Sequence, residues 1–272
     1  MKDKEKLIRY FEASGNGEEA RRMIDLAEQV QAGRPYRVTD FMSPAGLVIA
    51  DAVKANFGGI NIISSGGYEG AERLRVAFVD PHFQGTVDLQ IAVLKVSWDP
   101  RFRLLTHRDV LGSLMGLGID RTHFGDIIVT SGGAQVIVDA TIADFVIQNF
   151  TKIAMVTVTV SRMELSELQP KEEKIKEVRT TVASMRLDSI ASSGFSTSRT
   201  KVVEAIKAGL VQVNWQPAKG PAQEVKEGDI ISLRGRGAGT VISLRGKGRM
   251  EVAEITGTSR KGRTGVLLKR FI

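Results

Sequence analysis

Apolar residues recur at two different periods along the chain, and the change of period divides it. Over residues 1–31 the spacing is helical. Leu7, Ile8 and Phe11 form one patch, and Ala20, Met23, Ile24, Ala27 and Val30 form a stripe at the three- and four-residue steps of an amphipathic helix. Gly15-Asn16-Gly17 separates two helices, and Gly33-Arg34-Pro35 ends the second. Residues 36–39 read as a short extended piece. Ser43 and Pro44 predict a third helix, with serine as cap and proline at the first helical position, running to about Asn56. Residues 60–64 are strand-like. The reading for 1–72 is an α-rich N-terminal domain with a short sheet.

From residue 73 the pattern alternates between strand and helix. Residues 74–80, 89–98, 126–130, 135–139 and 153–161 read as strands, and 107–117 and 141–150 as helices. Thr106 can cap the first helix, and Ser131-Gly132-Gly133-Ala134 is a hairpin turn. Within 153–161, Val156, Val158 and Val160 alternate with Thr157, Thr159 and Ser161. After one extra leading strand, 73–165 has the β-α-β-β-α-β order of the split βαβ arrangement, which RNA-recognition-motif domains share. Such domains stack bases on exposed strand aromatics. Here the strand faces are Val and Thr, and Phe78 and Trp98 sit among apolar residues. The sheet therefore reads as a scaffold or docking surface. Residues 166–184, with mixed charge over 171–179, read as a linker, the alternative being a solvated edge strand.

Residues 186–214 predict two short helices and a strand. Leu187, Ile190 and Ala191 share one side of the first helix, which stops at Gly194. Ser196, Thr197 and Ser198 offer an N-cap. The second helix turns Val203, Ile206 and Leu210 inward and ends at Gly209; Val211 and Val213 alternate as a strand, and Asn214 opens a turn. Arg199 and Lys207 fall within about 80° of each other on the helix barrel. Two cations beside a helix N-terminus suit phosphate.

Charge sharpens this picture. The net charge is +7, but residues 186–272 hold sixteen Lys/Arg and seven Asp/Glu, a net +9, which leaves −2 for residues 1–185. The basic excess belongs to the C-terminal third, as a polyanion-binding surface there requires. The hexads 232–237 (SLRGRG) and 243–248 (SLRGKG) look like a local duplication, and 257–263 (GTSRKGR) is another basic, glycine-bearing cluster.

Other chemistries find little support. With no cysteine there is no disulfide, thiolate nucleophile or Cys-based metal site. His82, His107 and His123 lack metal-ligand spacing. His107-Arg108-Asp109 matches a kinase catalytic loop without the rest of the kinase set. Arg186-Leu187-Asp188 echoes the catalytic aspartate motif of pseudouridine synthases, but no catalytic domain follows it. Gly66-Gly67 and Gly132-Gly133 are not phosphate loops. No apolar run has membrane-spanning length, and the charged start lacks a secretory signal, so a cytoplasmic protein without cofactor, metal, membrane or small-molecule substrate is expected.

The ordered set R-L-D … G … S-R … I-x-x-G-x-V-x-V-N over 186–214, closed by the strand 227–231, resembles the S4 RNA-binding domain. The candidate RNA-binding residues are Arg186, Ser198, Arg199, Lys201, Lys207, Asn214, Arg234, Arg236, Arg245, Lys247, Arg249, Arg260, Lys261 and Arg263. Further stretches extend the likeness: Thr39-Asp40-Phe41, Gly66-Gly67-Tyr68 with Glu72-Arg73, 106–112 (THRDVLG), 116–119 with 125–129, and 163–168 (MELSEL). Together they resemble YlmH-type S4-domain RNA-binding proteins, a group that includes the photosystem II S4 domain proteins of cyanobacteria and plastids. The resemblance implies an α+β, multidomain protein: an α-rich N-terminal domain (1–72), an RRM-like domain (73–165), a linker (166–184) and an S4 domain with a basic extension (185–272). It also implies binding to rRNA, tRNA and the large ribosomal subunit in ribosome quality control, without catalysis. The alternatives are an RNA-modifying enzyme that uses the S4 domain for delivery, or a photosystem II-related RNA-binding factor.

Overall fold

The computed structural model describes residues 2–12, 15–101, 105–170, 175–233, 248–258 and 262–271. The chain forms two compact units, 1–171 and 172–272. Among the described residues no helix is long and apolar enough to cross a membrane.

The first unit begins with the expected helices, α1 (Lys2–Glu12), α2 (Gly17–Gln31) and α3 (Pro44–Phe57). The apolar stripe of α2 is buried along its length and meets Leu7 and Phe11 of α1 and Ile49, Ala50 and Val53 of α3. Proline opens α3 as its sequence suggests, but the Ser43 hydroxyl makes no capping bond. Three strands complete this layer: β1 (Tyr36–Val38), β2 (Asn61–Ser65) and β3 (Arg75–Val79), in the order β1-β3-β2.

The position of β3 corrects the sequence reading, which made it the leading strand of the middle domain. It pairs with β1 on one side and β2 on the other. All five of its residues are buried, so it is a central strand covered on both faces, and such strands lose the two-residue alternation. An apolar run of this kind announces a strand and says nothing about its partners.

The second layer follows the expected order: β4 (Ile91–Ser97), α4 (His107–Met115), β5 (Phe124–Thr130), β6 (Gly133–Asp139), α5 (Ala143–Asn149), the short pair β7 (Lys152–Ile153) and β8 (Val156–Thr157), then β9 (Thr159–Met163). The sheet runs β5-β6-β4-β9 with every neighbour antiparallel, which is the split βαβ arrangement. The strand expected over 153–161 is broken into a hairpin and β9, because Ala154 turns with φ +52°. Thr106-His107-Arg108-Asp109 is a capping box: Thr106 N–H donates to Asp109 Oδ2 (2.9 Å) and Asp109 N–H to Thr106 Oγ1 (3.4 Å). That reciprocal pair accounts for the kinase-like tripeptide.

The glycine motif at 66–67 joins the two layers. A Cβ on Gly66 would collide with the Arg73 carbonyl oxygen, and Gly67 has φ +95° with Leu165 Cδ2 3.0 Å from where its Cβ would stand. Gly67→Ala is expected to destabilise the first unit by about 1–2 kcal/mol, the cost of a left-handed alanine, seen as a lowered urea midpoint; an unchanged midpoint would show that the turn relaxes freely.

The second unit contains β10 (Ile175–Val182), α6 (Leu187–Gly194), α7 (Arg199–Lys207), β11 (Val211–Val213), β12 (Gln216–Pro217), β13 (Ile230–Leu233), β14 (Gly248–Thr258) and β15 (Thr264–Phe271). They form one antiparallel sheet, β10-β15-β14-β13-β11-β12. Part of the segment read as a linker is therefore the edge strand β10, paired with β15 from Ile175↔Phe271 to Val182↔Thr264. Only one of its faces is covered, so it keeps the polar composition that suggested a solvated segment.

Candidate nucleic-acid interface

The helix pair α6–α7 lies on one face of the second unit's sheet. Leu187, Ile190 and Ala191 of α6 and Val202, Ala205 and Ile206 of α7 are buried with Val211, Val213, Ile231, Met250, Val252 and Leu268. The inward face of α7 is thus rotated from the one expected: Val202 and Ala205 are buried, and Val203 and Leu210 lie at the margin. Ser198 caps α7, its hydroxyl accepting from Lys201 N–H at 3.3 Å, and Gly209 (φ +68°) turns the chain into β11.

At the corner between the helices Asp188 holds two arginines. Its carboxylate accepts from Arg186 Nε (3.2 Å) and Nη2 (3.0 Å), and from Arg199 Nη2 (3.0 and 2.9 Å). The Asp188 side chain is 3% exposed, against 41% for Arg186 and 56% for Arg199. Burial alone would raise this carboxyl's pKa. The hydrogen bonds and charges of the two arginines outweigh it and hold the group below the usual carboxylate range. The arrangement is a buried anion that aims two cations toward solvent. One carboxylate neutralises one of the two positive charges, and the surplus faces outward beside the N-terminus of α7. Planar guanidiniums fixed in this way can pair bidentately with phosphate.

The remaining candidates are distributed differently. At about 100° per residue, Lys207 lies roughly 80° from Arg199, while Lys201 lies roughly 160° away on the opposite flank. Both lysines are exposed. The Asn214 amide is engaged on both sides, donating to Asp229 Oδ1 (2.7 Å) and accepting from Ile230 N–H (2.8 Å); it brackets the β11–β12 turn, where Asn214 and Trp215 have φ +48° and +60°. Arg263 donates to the Thr181 carbonyl (2.9 Å). The Arg249 guanidinium lies 4.7 Å from the centroid of the Phe271 ring. Arg234, Arg236, Arg245, Lys247, Arg260 and Lys261 lie outside the described residues.

The first unit uses its sheet for packing. The face of β4 and β6 opposite the helices carries Val93 and Ile137, and both are buried with Phe41, with Tyr68, Met163 and Leu168 around them. Gln135 accepts from Gln169 N–H at 2.8 Å, which lays the segment after β9 along the same sheet. Bases have no access to that central row, as the lack of strand aromatics suggested.

A latch between the two layers absorbs the other motifs. A bulge in β5 presents Asp126, whose carboxylate accepts from Tyr68 Oη (2.8 Å), Glu72 N–H (2.7 Å) and Arg73 N–H (3.1 Å). Arg73 donates onward to the carbonyls of Phe124 (2.8 Å) and Phe41 (2.7 Å). Arg121, half buried and beside Arg73, is pushed down to about 10 by burial and by that neighbouring charge. These residues hold the unit together.

Among the described residues no group of His, Asp and Glu is placed to hold a metal. A paired-helix corner that presents anchored arginines, in the basic third of an α+β multidomain chain, defines an RNA-binding protein of the S4 class. The comparisons agree over most of the length. Residues 15–83 match the family described as "YlmH, N-terminal", 85–167 the "Putative RNA-binding domain in YlmH", and 185–231 the "S4 domain". The chain is 35% identical over 209 residues to the ribosome-associated protein quality control protein P2 of Bacillus subtilis (strain 168), covering 76% of this chain and 81% of that protein. The chain belongs to the YlmH family of S4-domain proteins. A solved structure, the cell division protein ylmH from Streptococcus pneumoniae, shares the fold with a TM-score of 0.50 at 23% identity, over 57% of this chain and 95% of that one.

Proposed function

We propose that this protein is a non-enzymatic RNA-binding factor that docks on structured rRNA and tRNA at the large ribosomal subunit, in ribosome-associated quality control in the cytoplasm. The observation that carries the RNA contact is the Arg186–Asp188–Arg199 cluster, which spends a buried carboxylate on fixing two solvent-facing guanidiniums. The ribosomal setting is supported by the name of the Bacillus subtilis relative. The absence of catalysis is supported by the use already found for each catalytic look-alike: Asp109 caps a helix, and Asp188 is committed to two arginines.

The test is binding of the full chain to purified large subunits and to tRNA by co-sedimentation and filter retention. Arg186→Ala with Arg199→Ala is expected to weaken both by about 2–4 kcal/mol, from the loss of charge-assisted hydrogen bonds at roughly 1.5–3 kcal/mol each with partial compensation. Parental binding by the double variant would remove the cluster from the interface. Altered nucleosides in RNA incubated with the protein would instead support the modifying-enzyme reading.

A further inference from the structure

The first unit holds a cavity of about 830 Å³, walled by α2, by the stretch 38–43 that leads from β1 into α3, and by Arg73, Arg121 and Thr122. Met23, Leu26, Phe41 and Met42 give the wall an apolar part. Most of the acids around it are already paired. Glu18 and Asp40 both pair with Arg22, at 3.1 and 3.9 Å, and Asp25 pairs with Lys4 at 3.4 Å. Glu19 is different: it is half-buried and, among the described residues, forms neither an ion pair nor a hydrogen bond. Burial pushes its carboxyl up, against the charges of Arg73 and Arg22. The two arginines use only part of their donor sets. Arg73 donates through Nε and Nη2 to the carbonyls of Phe124, Phe41 and Arg121, and Arg121 donates through Nη1 to those of Phe124 and Gly125. Arg73 Nη1 and the Nε/Nη2 fork of Arg121 carry no hydrogen bond among the described residues. The charge of Arg73 is felt by Glu19 and by Arg121 alike, which places it between them.

We propose that this cavity takes up an unpaired guanine base, with the Glu19 carboxylate on its N1–H and N2–H groups and the Arg121 fork on O6 and N7. A partly apolar cavity with a few convergent polar groups is the usual form of a small-ligand site. Guanine alone of the four bases has two adjacent donors on one edge and two adjacent acceptors on the next. A carboxylate meets the first edge with two oxygens, and an arginine fork meets the second. O6 lies at the corner between those edges, where Arg73 Nη1 can reach it. The apolar wall suits the faces of the ring. The paired acids Glu18, Asp25 and Asp40 disfavour a phosphate inside, so the base enters and its phosphates stay out. A base within a duplex is out of reach, and single-stranded loops and bulges are the RNA elements whose bases splay into protein pockets. The RNA source of the guanine rests on the RNA-binding reading, and the base pocket adds to it a contact in the first unit that reads sequence, which phosphate contacts do not.

The test uses the full chain and a set of hairpin RNAs that differ only in one bulged base: guanine, adenine, cytosine, inosine's hypoxanthine, which lacks the N2 amino group, and 7-deazaguanine, which lacks N7. By filter binding the parent is expected to prefer the guanine bulge over adenine and cytosine by about tenfold or more, the scale of one good bidentate base contact. The two analogues should each lose part of that preference. Glu19→Gln removes one of the two acceptor oxygens, so it should erase the difference between guanine and hypoxanthine and keep that between guanine and 7-deazaguanine. Arg121→Lys keeps the charge and loses the fork, so it should do the reverse. Urea midpoints of both variants check that the first unit is folded, and Glu19→Gln, which breaks no contact among the described residues, carries the test if Arg121→Lys is unstable. Equal affinity of the parent for all the bulges, or a guanine preference that Glu19→Gln leaves intact, overturns the base pocket and leaves the helix-pair contact standing. Calorimetric binding of GMP over AMP without any preference among the hairpins would put a free nucleotide in the cavity and overturn the RNA source. Failure to bind any hairpin overturns the RNA-binding reading and that source with it.

Discussion

Replacing Asp188 by alanine is expected to weaken RNA binding about five- to 150-fold, although it removes a negative charge from an RNA-binding surface. Simple electrostatics predicts the opposite sign, since the variant is one unit more positive. The expected loss comes from freeing Arg186 and Arg199, both of which Asp188 holds at 2.9–3.2 Å. Ordering each long side chain on binding costs about 0.5–1.5 kcal/mol. Two of them cost ~1–3 kcal/mol, which is that range of affinity. Both arginines are about half exposed, so the loss of fold stability should be modest. Filter binding at two salt concentrations reads the effect, and tighter binding by Asp188→Ala would show that the arginines need no anchor.

The largest effect on stability is expected from Asp139→Ala in the first unit. Arg75 and Asp139 pair at 3.2 Å with side chains only 5% and 8% exposed. Arg75 also donates to the carbonyls of Thr39 (2.8 Å) and Gln90 (2.9 Å), so it ties β3 to the approach to β4. Removing the carboxylate leaves a buried cation without its counter-charge, a change that costs about 3–5 kcal/mol. The exposed pair Arg162–Asp144 is the internal control, and Asp144→Ala should cost less than about 1 kcal/mol. Urea unfolding followed by Trp98 fluorescence in a Trp215→Phe background isolates the first unit. Similar midpoints for the two variants would refute the buried-pair argument. Burial alone would raise the Asp139 carboxyl, but hydrogen bonds from Thr141 and the Arg75 charge hold it below its ordinary value. Its stabilisation is therefore present above the ordinary aspartate pKa of about 4 and is lost as pH falls through the lower folded-state value. The acid limb of the first unit's stability should flatten in Asp139→Ala.

What the sequence made legible followed from local periodicity. The stripe from Ala20 to Val30, the Thr106 cap and the hairpin at Ser131-Gly132 are decided within a few residues, and all are present. β3 was legible as a strand, but its partners were not, because burial on both faces erases the alternation. Asp188 stood inside a motif that pointed to catalysis. Its role depends on Arg199, eleven residues on, being returned to it by the bend between α6 and α7. Asp126 lay inside the motif stretch 125–129 with no role legible there, since its partners Tyr68, Glu72 and Arg73 lie more than fifty residues upstream. The Arg249–Phe271 pair depends on the register of β14 against β15, which a bulged ladder leaves unreadable. Each of these residues matters through long-range placement.

The pairing of β10 with β15 sets an order of events during synthesis. Val182 and Thr264 are register partners, yet the helix pair and four other strands lie between them in the chain. The helix pair needs Leu268 and Val266 beneath it, and these residues emerge only after the helices have been made. Nascent α6 and α7 therefore expose apolar faces while β10 waits with an unsatisfied edge, an interval in which strand edges are open to wrong partners. The unit closes in one late, non-local step, and pairings over such distances form slowly. A newly made chain thus acquires the arginine corner only after its sheet is complete, and its first unit, built from earlier residues, can be folded well before then.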